Sequence, residues 1–115
     1  MRDHKKLRAF ELADELALAT YQATRRFPKE ELFGLTSQMR RAAVSVASNI
    51  VEACARNSQA DYLHFLDMAF GSANELGYQA SLARRLGCLA AENDIERTCD
   101  ETCRVLNGLI RALRR

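Results

Sequence analysis

From about Lys5 to Arg26 the apolar residues recur at the spacing of a helix face. Leu12, Leu16, Ala19 and Ala23 form one stripe, and Phe10, Ala13, Ala17 and Tyr21 form a second beside it. The segment Phe27-Pro28-Lys29-Glu30-Glu31 breaks the pattern, because proline disfavours helical geometry in the residue before it. The helical pattern resumes at Gly34 or Thr36 and runs to about Arg56, with Met39, Ala43, Val46, Ile50 and Cys54 on one face. Asn57-Ser58 marks a turn, and Ser58 is placed to accept hydrogen bonds from the first free N–H groups of a third helix. Tyr62, Leu66, Ala69, Ala73, Leu76, Ala80 and Ala83 line that helix, and Gly87 suits a left-handed stop. A fourth helix is expected from about Glu92. Glu92, Asp94 and Glu96 would complement its dipole, and Ile95, Cys99, Thr102, Leu106, Leu109 and Leu113 would be buried. Short connections between four helices imply that neighbours alternate in direction, so the expected fold is all-α: an antiparallel up-down-up-down four-helix bundle. No repeated signature points to a helical array.

Composition agrees with this pattern. The 115 residues suit one domain, residues 1–115, and 48% are hydrophobic with few aromatic side chains, a helical vocabulary. A net charge of +2 is modest for a nucleic-acid-binding chain, so the distribution of charge matters more than its total. The polar opening and the lack of a long apolar run point to the cytoplasm. There Cys54, Cys88, Cys99 and Cys103 would be reduced and would behave as small apolar residues.

The candidate chemistry is thin. A di-iron bundle needs Glu-x-x-His on two helices, and this chain offers one Asp61-x-x-His64 with His4 far away. Cys99 and Cys103 share a helix face but lack convergent partners for a metal. No phosphate loop, dinucleotide fingerprint or nucleophile elbow occurs. The expectation is a protein without enzymatic activity, cofactor or metal.

There is more apolar surface than one core needs. The apolar residues of helix one, including Phe10 and Tyr21, span roughly 200° at about 100° per residue, wider than a single stripe. Val44 and Val51 on helix two, and Leu63 and Phe70 on helix three, sit beside the core faces as candidate interface shoulders. Either these are ordinary isolated surface residues or they mark self-association, and recurrence on three helices favours the second. Helix two also carries a stripe of Arg41, Ser45, Ser48 and Glu52, flanked by Gln38, Asn49 and Arg56. Short Ser and Asn side chains permit close approach. The stripe reads equally as a solvated face with an Arg41–Glu52 network or as a subunit contact.

The run from Phe27-Pro28-Lys29-Glu30-Glu31 through Leu35-Thr36-Ser37-Gln38-Met39-Arg40-Arg41 to Ser48-Asn49-Ile50-Val51-Glu52 resembles the signature of a bacterial family. So does the block Phe65-Leu66-Asp67-Met68-Ala69-Phe70-Gly71-Ser72-Ala73-Asn74-Glu75-Leu76. These are the four-helix-bundle proteins encoded in intervening sequences of large-subunit ribosomal RNA genes. The resemblance implies a homopentameric ring. It also implies kinship to the accessory variability determinant of diversity-generating retroelements, a protein implied to bind nucleic acid and a reverse transcriptase. The family usually has Gly after the glutamate matching Glu52, where this chain has Ala53-Cys54, so helix two is expected to end differently.

Alternating helices would gather Arg2, Lys5, Lys6, Arg8, Arg56, Arg111, Arg114 and Arg115 at one pole, with only Asp3 and Asp61 nearby in sequence. Helix-dipole complementarity explains the cations at helix C-termini but not those opening helix one. This pole is the candidate nucleic-acid surface, with Arg25, Arg26, Arg84 and Arg85 at the opposite pole as its rival. The expected function is that of an oligomeric accessory protein binding RNA or an RNA–protein complex. The alternative is a protein-binding adaptor or scaffold.

Overall fold

The structure is a computed structural model that describes residues 2–115. Among these residues there are four α-helices and no strand: α1 (Arg8–Thr24), α2 (Ser37–Cys54), α3 (Gln59–Arg85) and α4 (Ile95–Leu113).

Helix one begins later than its apolar pattern suggests. His4–Lys6 is a separate 3-10 turn, in which the Asp3 carboxylate accepts from Lys5 N at 3.1 Å, and Leu7 is extended before α1 starts. A short polar side chain has captured a backbone donor that would otherwise open the helix. Beyond Pro28, the chain forms a 3-10 turn over Lys29–Glu31 and then a wider π-type turn over Leu32–Thr36, where Gly34 leaves helical geometry. The Glu31 carboxylate accepts from Leu35 N at 3.1 Å, and a Cβ on Gly34 would stand 3.0 Å from that carboxylate oxygen. Glycine thus lets the kinked backbone and its capping side chain approach closely. α2 follows without a break and runs through Ala53 to Cys54, both buried, so Ala53 does not end it early.

The ends of α3 form as their residues predict. Ser58 Oγ accepts from Asp61 N at 3.1 Å. At the other end Gly87 has φ 79°, Gly87 N donates to Arg84 O at 3.0 Å and Cys88 N donates to Ala83 O at 2.9 Å. These are the paired bonds of a Schellman stop. The 27 residues of α3 span about 40 Å at about 1.5 Å per residue, most of the 43 Å long axis of the molecule. α4 starts at Ile95 rather than Glu92, because the Asn93 side chain accepts from Ile95 N at 2.9 Å and fixes the start there. Glu92 and Asp94 therefore precede the helix, and Glu96 alone is the acid of its first turn.

The buried residues fall into two clusters. One joins Ala9 and Ala13 of α1 to Ile50 and Cys54 of α2, Tyr62 and Leu66 of α3, and Leu106 and Ile110 of α4. The other joins Leu16, Met39, Ala43, Leu76, Ala83, Ile95 and Cys99. Every expected core position of α2 and α3 is buried. In α4 the stripe holds from Ile95 to Leu106 and then passes to Ile110, leaving Leu109 and Leu113 half-buried.

α1 departs most. Ala9, Leu12, Ala13, Leu16, Thr20 and Thr24 are buried, whereas Ala19 and Ala23 are half-buried. The two threonines enter the core because each hydroxyl donates within its own helix, Thr20 to Leu16 O at 2.7 Å and Thr24 to Thr20 O at 2.8 Å. A satisfied hydroxyl leaves only its methyl group to pack.

Candidate functional site

A cleft of about 660 Å³ lies between α1, the kinked turn and the first half of α2. Tyr21, Leu32, Phe33 and Val44 supply its apolar wall, and all four are exposed, Phe33 at 93% of its full surface. The kink explains Phe33: with Gly34 out of helical geometry, the turn carries its large side chain away from the core. Arg40 ties the cleft together. Its guanidinium stacks 4.7 Å from the Tyr21 ring centroid, and its Nε donates to Thr24 Oγ1 at 2.8 Å, so a cation of α2 is anchored on α1. Arg41 stands on the rim.

The basic pole is less basic than the chain order implies. Arg8 pairs with Glu101 at 2.9 Å and Glu11 at 3.7 Å, Arg56 pairs with Glu52, and Arg114 pairs with Asp67. Four carboxylates thus join Asp3 and Asp61: Glu11 and Glu52 from one turn away along the chain, Glu101 and Asp67 from other helices. Lys5 and Lys6 also lie in the separate turn and not in the first turn of α1, so the argument that they oppose a helix dipole does not hold. Arg2 is built into the pole: its guanidinium lies 3.6 Å from the Tyr62 ring centroid, Nη2 donates to Gln59 Oε1 at 3.0 Å, and its backbone N donates to Cys54 O at 2.9 Å. Arg56 stacks 5.0 Å from the Phe65 ring. Among the described residues Lys5, Lys6, Arg111 and Arg115 have no carboxylate within ion-pair reach.

The rival cluster is partly committed within the chain. Arg84 pairs with Glu96 and donates to the carbonyls of Ala90 and Asn93, fastening the α3–α4 connection. Arg85 donates to Ser81 O at 3.3 Å, while Arg25 and Arg26 border different clefts. The thiols are free: Cys54 and Cys99 are buried, Cys88 and Cys103 half-buried. Burial pushes the Cys54 thiol up, against the opposing charge of Arg2. Hydrogen bonding with Cys103 raises Cys99 well above the usual thiol range and lowers Cys103. The Cys99 thiol donates to Ala73 O at 3.0 Å. Among the described residues no group of three or more His, Cys, Asp or Glu stands close enough to hold a metal ion, and no helix is long and apolar enough to cross a membrane.

The family model described as 23S rRNA-intervening sequence protein matches residues 5–108. The chain belongs to this family. It is also similar to the crystal structure of a protein of unknown function from the S23 ribosomal protein family of Bacteroides thetaiotaomicron VPI-5482. That likeness has a TM-score of 0.82 and 25% identity, covering 90% of this chain and 95% of the other. No curated protein matches the sequence.

In this member of the 23S rRNA-intervening sequence protein family, the interface candidates separate into three groups. Tyr21, Arg41 and Val44 belong to the apolar cleft, and Ser45 reaches its edge. Ser45 is also engaged inside the chain, hydrogen-bonded to Ser72 of α3 at 2.8 Å and accepting from Asn49 at 3.0 Å. Glu52 is held by Arg56, so the Arg41–Glu52 network does not form, while Ser48 and Val51 remain exposed. Phe10, Leu63 and Phe70 are half-buried and pack against the core as its shoulders. Leu32 and Phe33 are the cleft residues that the periodicity argument missed. Their signal was two large apolar residues next to a glycine in a segment with no helical stripe to bury them.

Proposed function

We propose that this protein is a non-enzymatic accessory protein that binds RNA or an RNA–protein complex. In this reading it is an antiparallel four-helix bundle that closes with its copies into a homopentameric ring. The observation that carries the reading is the pairing of two surfaces on one small domain: the apolar cleft around Phe33, and the pole bearing Lys5, Lys6, Arg111 and Arg115. An exposed apolar cleft flanked by cations is a surface built to be covered. The face of α1 that carries Leu18, 62% exposed, also carries Asp14 and Glu15, and it complements Arg41 at the cleft rim of a second copy. A contact between two different faces is heterologous, and heterologous contacts close into a ring when the rotation between successive copies closes.

Ring closure repeats the cationic pole around one rim, where weak phosphate contacts add through multivalency. Membership of the 23S rRNA-intervening sequence protein family supports RNA as the polyanion, and a reverse transcriptase is a partner consistent with the resemblance to retroelement accessory proteins. The second reading, a protein-binding adaptor, is favoured by the same apolar cleft if a foreign helix and not a copy occupies it. The discriminating experiment measures binding of a 23S ribosomal RNA fragment across several salt concentrations, for the wild type and for a variant with Lys5, Lys6, Arg111 and Arg115 reversed to Glu. The RNA reading expects salt-sensitive binding that the variant loses. Absence of salt-sensitive RNA binding in the wild type leaves the adaptor.

A further inference from the structure

A second cleft, about 370 Å³, opens between α3 and α4 at the basic pole. α4 contributes Asn107, Ile110 and Arg111, spaced along one helix face and continued by its capping residue Arg114, and α3 contributes Asp67 and Phe70. Asp67 and Arg114 bridge the two helices by a two-point ion pair, with Arg114 Nη1 donating to Oδ1 at 3.2 Å and Nη2 donating to Oδ2. Both carboxylate oxygens are thereby occupied. Arg111 and Arg115 line the same cleft, and among the described residues neither has a carboxylate partner. Phe70 packs against the core cluster and also lines the cleft, so its ring is held in place.

A fixed aromatic ring, a side-chain amide and two uncommitted guanidinium groups form a specific chemical set. The ring offers a stacking face to a planar base. Asn107 offers one acceptor and two donors to a base edge, and arginine suits phosphate oxygens. A bare anion site would gain nothing from Phe70, and an apolar ligand nothing from two free arginines. We propose that this cleft binds one nucleotide unit of single-stranded RNA, its base stacked on Phe70 and its phosphate held by Arg111 and Arg115. The cleft volume falls within the ~300–1,000 Å³ of small-ligand pockets. The proposal rests on the RNA reading above and assigns Phe70 to ligand contact in place of subunit contact.

The test uses fluorescence anisotropy with a short labelled oligo(A) RNA, with AMP and inorganic phosphate as competitors. The proteins are the full chain, Phe70→Leu, the pair Arg111→Gln and Arg115→Gln, and, for comparison, Lys5→Gln with Lys6→Gln, cations of the same pole outside the cleft. Circular dichroism confirms that each is folded, and Phe70→Leu keeps an apolar side chain against the core. Phe70→Leu should weaken oligo(A) binding by about tenfold with an unchanged salt slope, since loss of one stacked base removes no charge. The arginine pair should lower the salt slope by about 0.7, the value for one phosphate of a single strand. AMP should compete at concentrations where phosphate does not. If oligo(A) binds and neither variant changes its affinity or slope, the cleft is overturned while the RNA reading stands. If phosphate competes as well as AMP, the base contact is overturned. If oligo(A) does not bind but AMP shifts the NMR signals of Phe70 and Asn107, the RNA source is overturned and the site takes free nucleotides.

Discussion

The cleft between α1 and α2 and the cleft between α3 and α4 are both gaps between neighbouring helices, yet they are built from opposite materials. The first is walled by Leu32, Phe33 and Val44, and of its two cations Arg40 is committed to Tyr21 and Thr24 while Arg41 stands on the rim. The second is walled by three arginines, of which only Arg114 is neutralised. Apolar surface left in water is a driving force for covering it, whereas uncommitted like charges are a driving force for an anion. On the proposed reading copies of the chain cover the first cleft and a polyanion the second, so changes in the second should leave assembly intact, whereas changes in the first should reach RNA binding only through lost multivalency.

The largest contrast separates the core from the cleft on one helix. Ile50 is fully buried, and Ile50→Asp should unfold the protein, because a buried unpaired charge costs several kcal/mol against a total of about 5–15 kcal/mol. Val44→Asp, at a position 43% exposed, should keep the circular dichroism spectrum while reducing the assembled mass. Equal unfolding by both would show that Val44 supports the bundle and not a contact between copies. Next in size, Phe33→Glu should dissociate the assembly with a stability change within about 0.5 kcal/mol, as expected of a side chain with little to lose on its own surface. RNA affinity should then fall by about a hundredfold from lost multivalency alone, read by titration at fixed salt. A smaller effect is expected from Lys5→Gln with Lys6→Gln, which should leave the mass unchanged and reduce the salt slope of RNA binding by less than the arginine pair. A change in mass would mean that the two surfaces are coupled.

Much of the fold was legible because the deciding signals were local. Ser58, Gly87 and the break at Pro28 act within a few residues of where they stand, and the stripes of α2 and α3 use apolar side chains alone. α1 was misread where burial depends on a hydrogen bond, at Thr20 and Thr24. The start of α4 depended on which acceptor reached Ile95 N, a choice made by Asn93. The site was less legible still, because charge neutralisation is in part a long-range property. Arg8 meets Glu101 and Arg114 meets Asp67 across helices, and the local partners Glu11 and Glu52 were left out of the count, so the pole was read as too positive. Phe33 escaped because a helical period has no meaning in a kinked turn, and only the geometry at Gly34 turns its side chain outward. Phe70 was visible as a residue beside the core stripe, but its neighbours Asn107, Arg111 and Arg115 come from another helix.

The proposed assembly through the α1/α2 cleft would underlie both the proposed ring and its repeated cationic rim, so the molar mass of the wild-type protein in solution tests it most directly. Light scattering coupled to gel filtration at micromolar concentration should give about five times the 13.0 kDa mass of one chain. A dimer or tetramer would retain self-association and discard the five-fold ring. A mass of 13.0 kDa would mean that the cleft around Phe33 does not join copies of this chain.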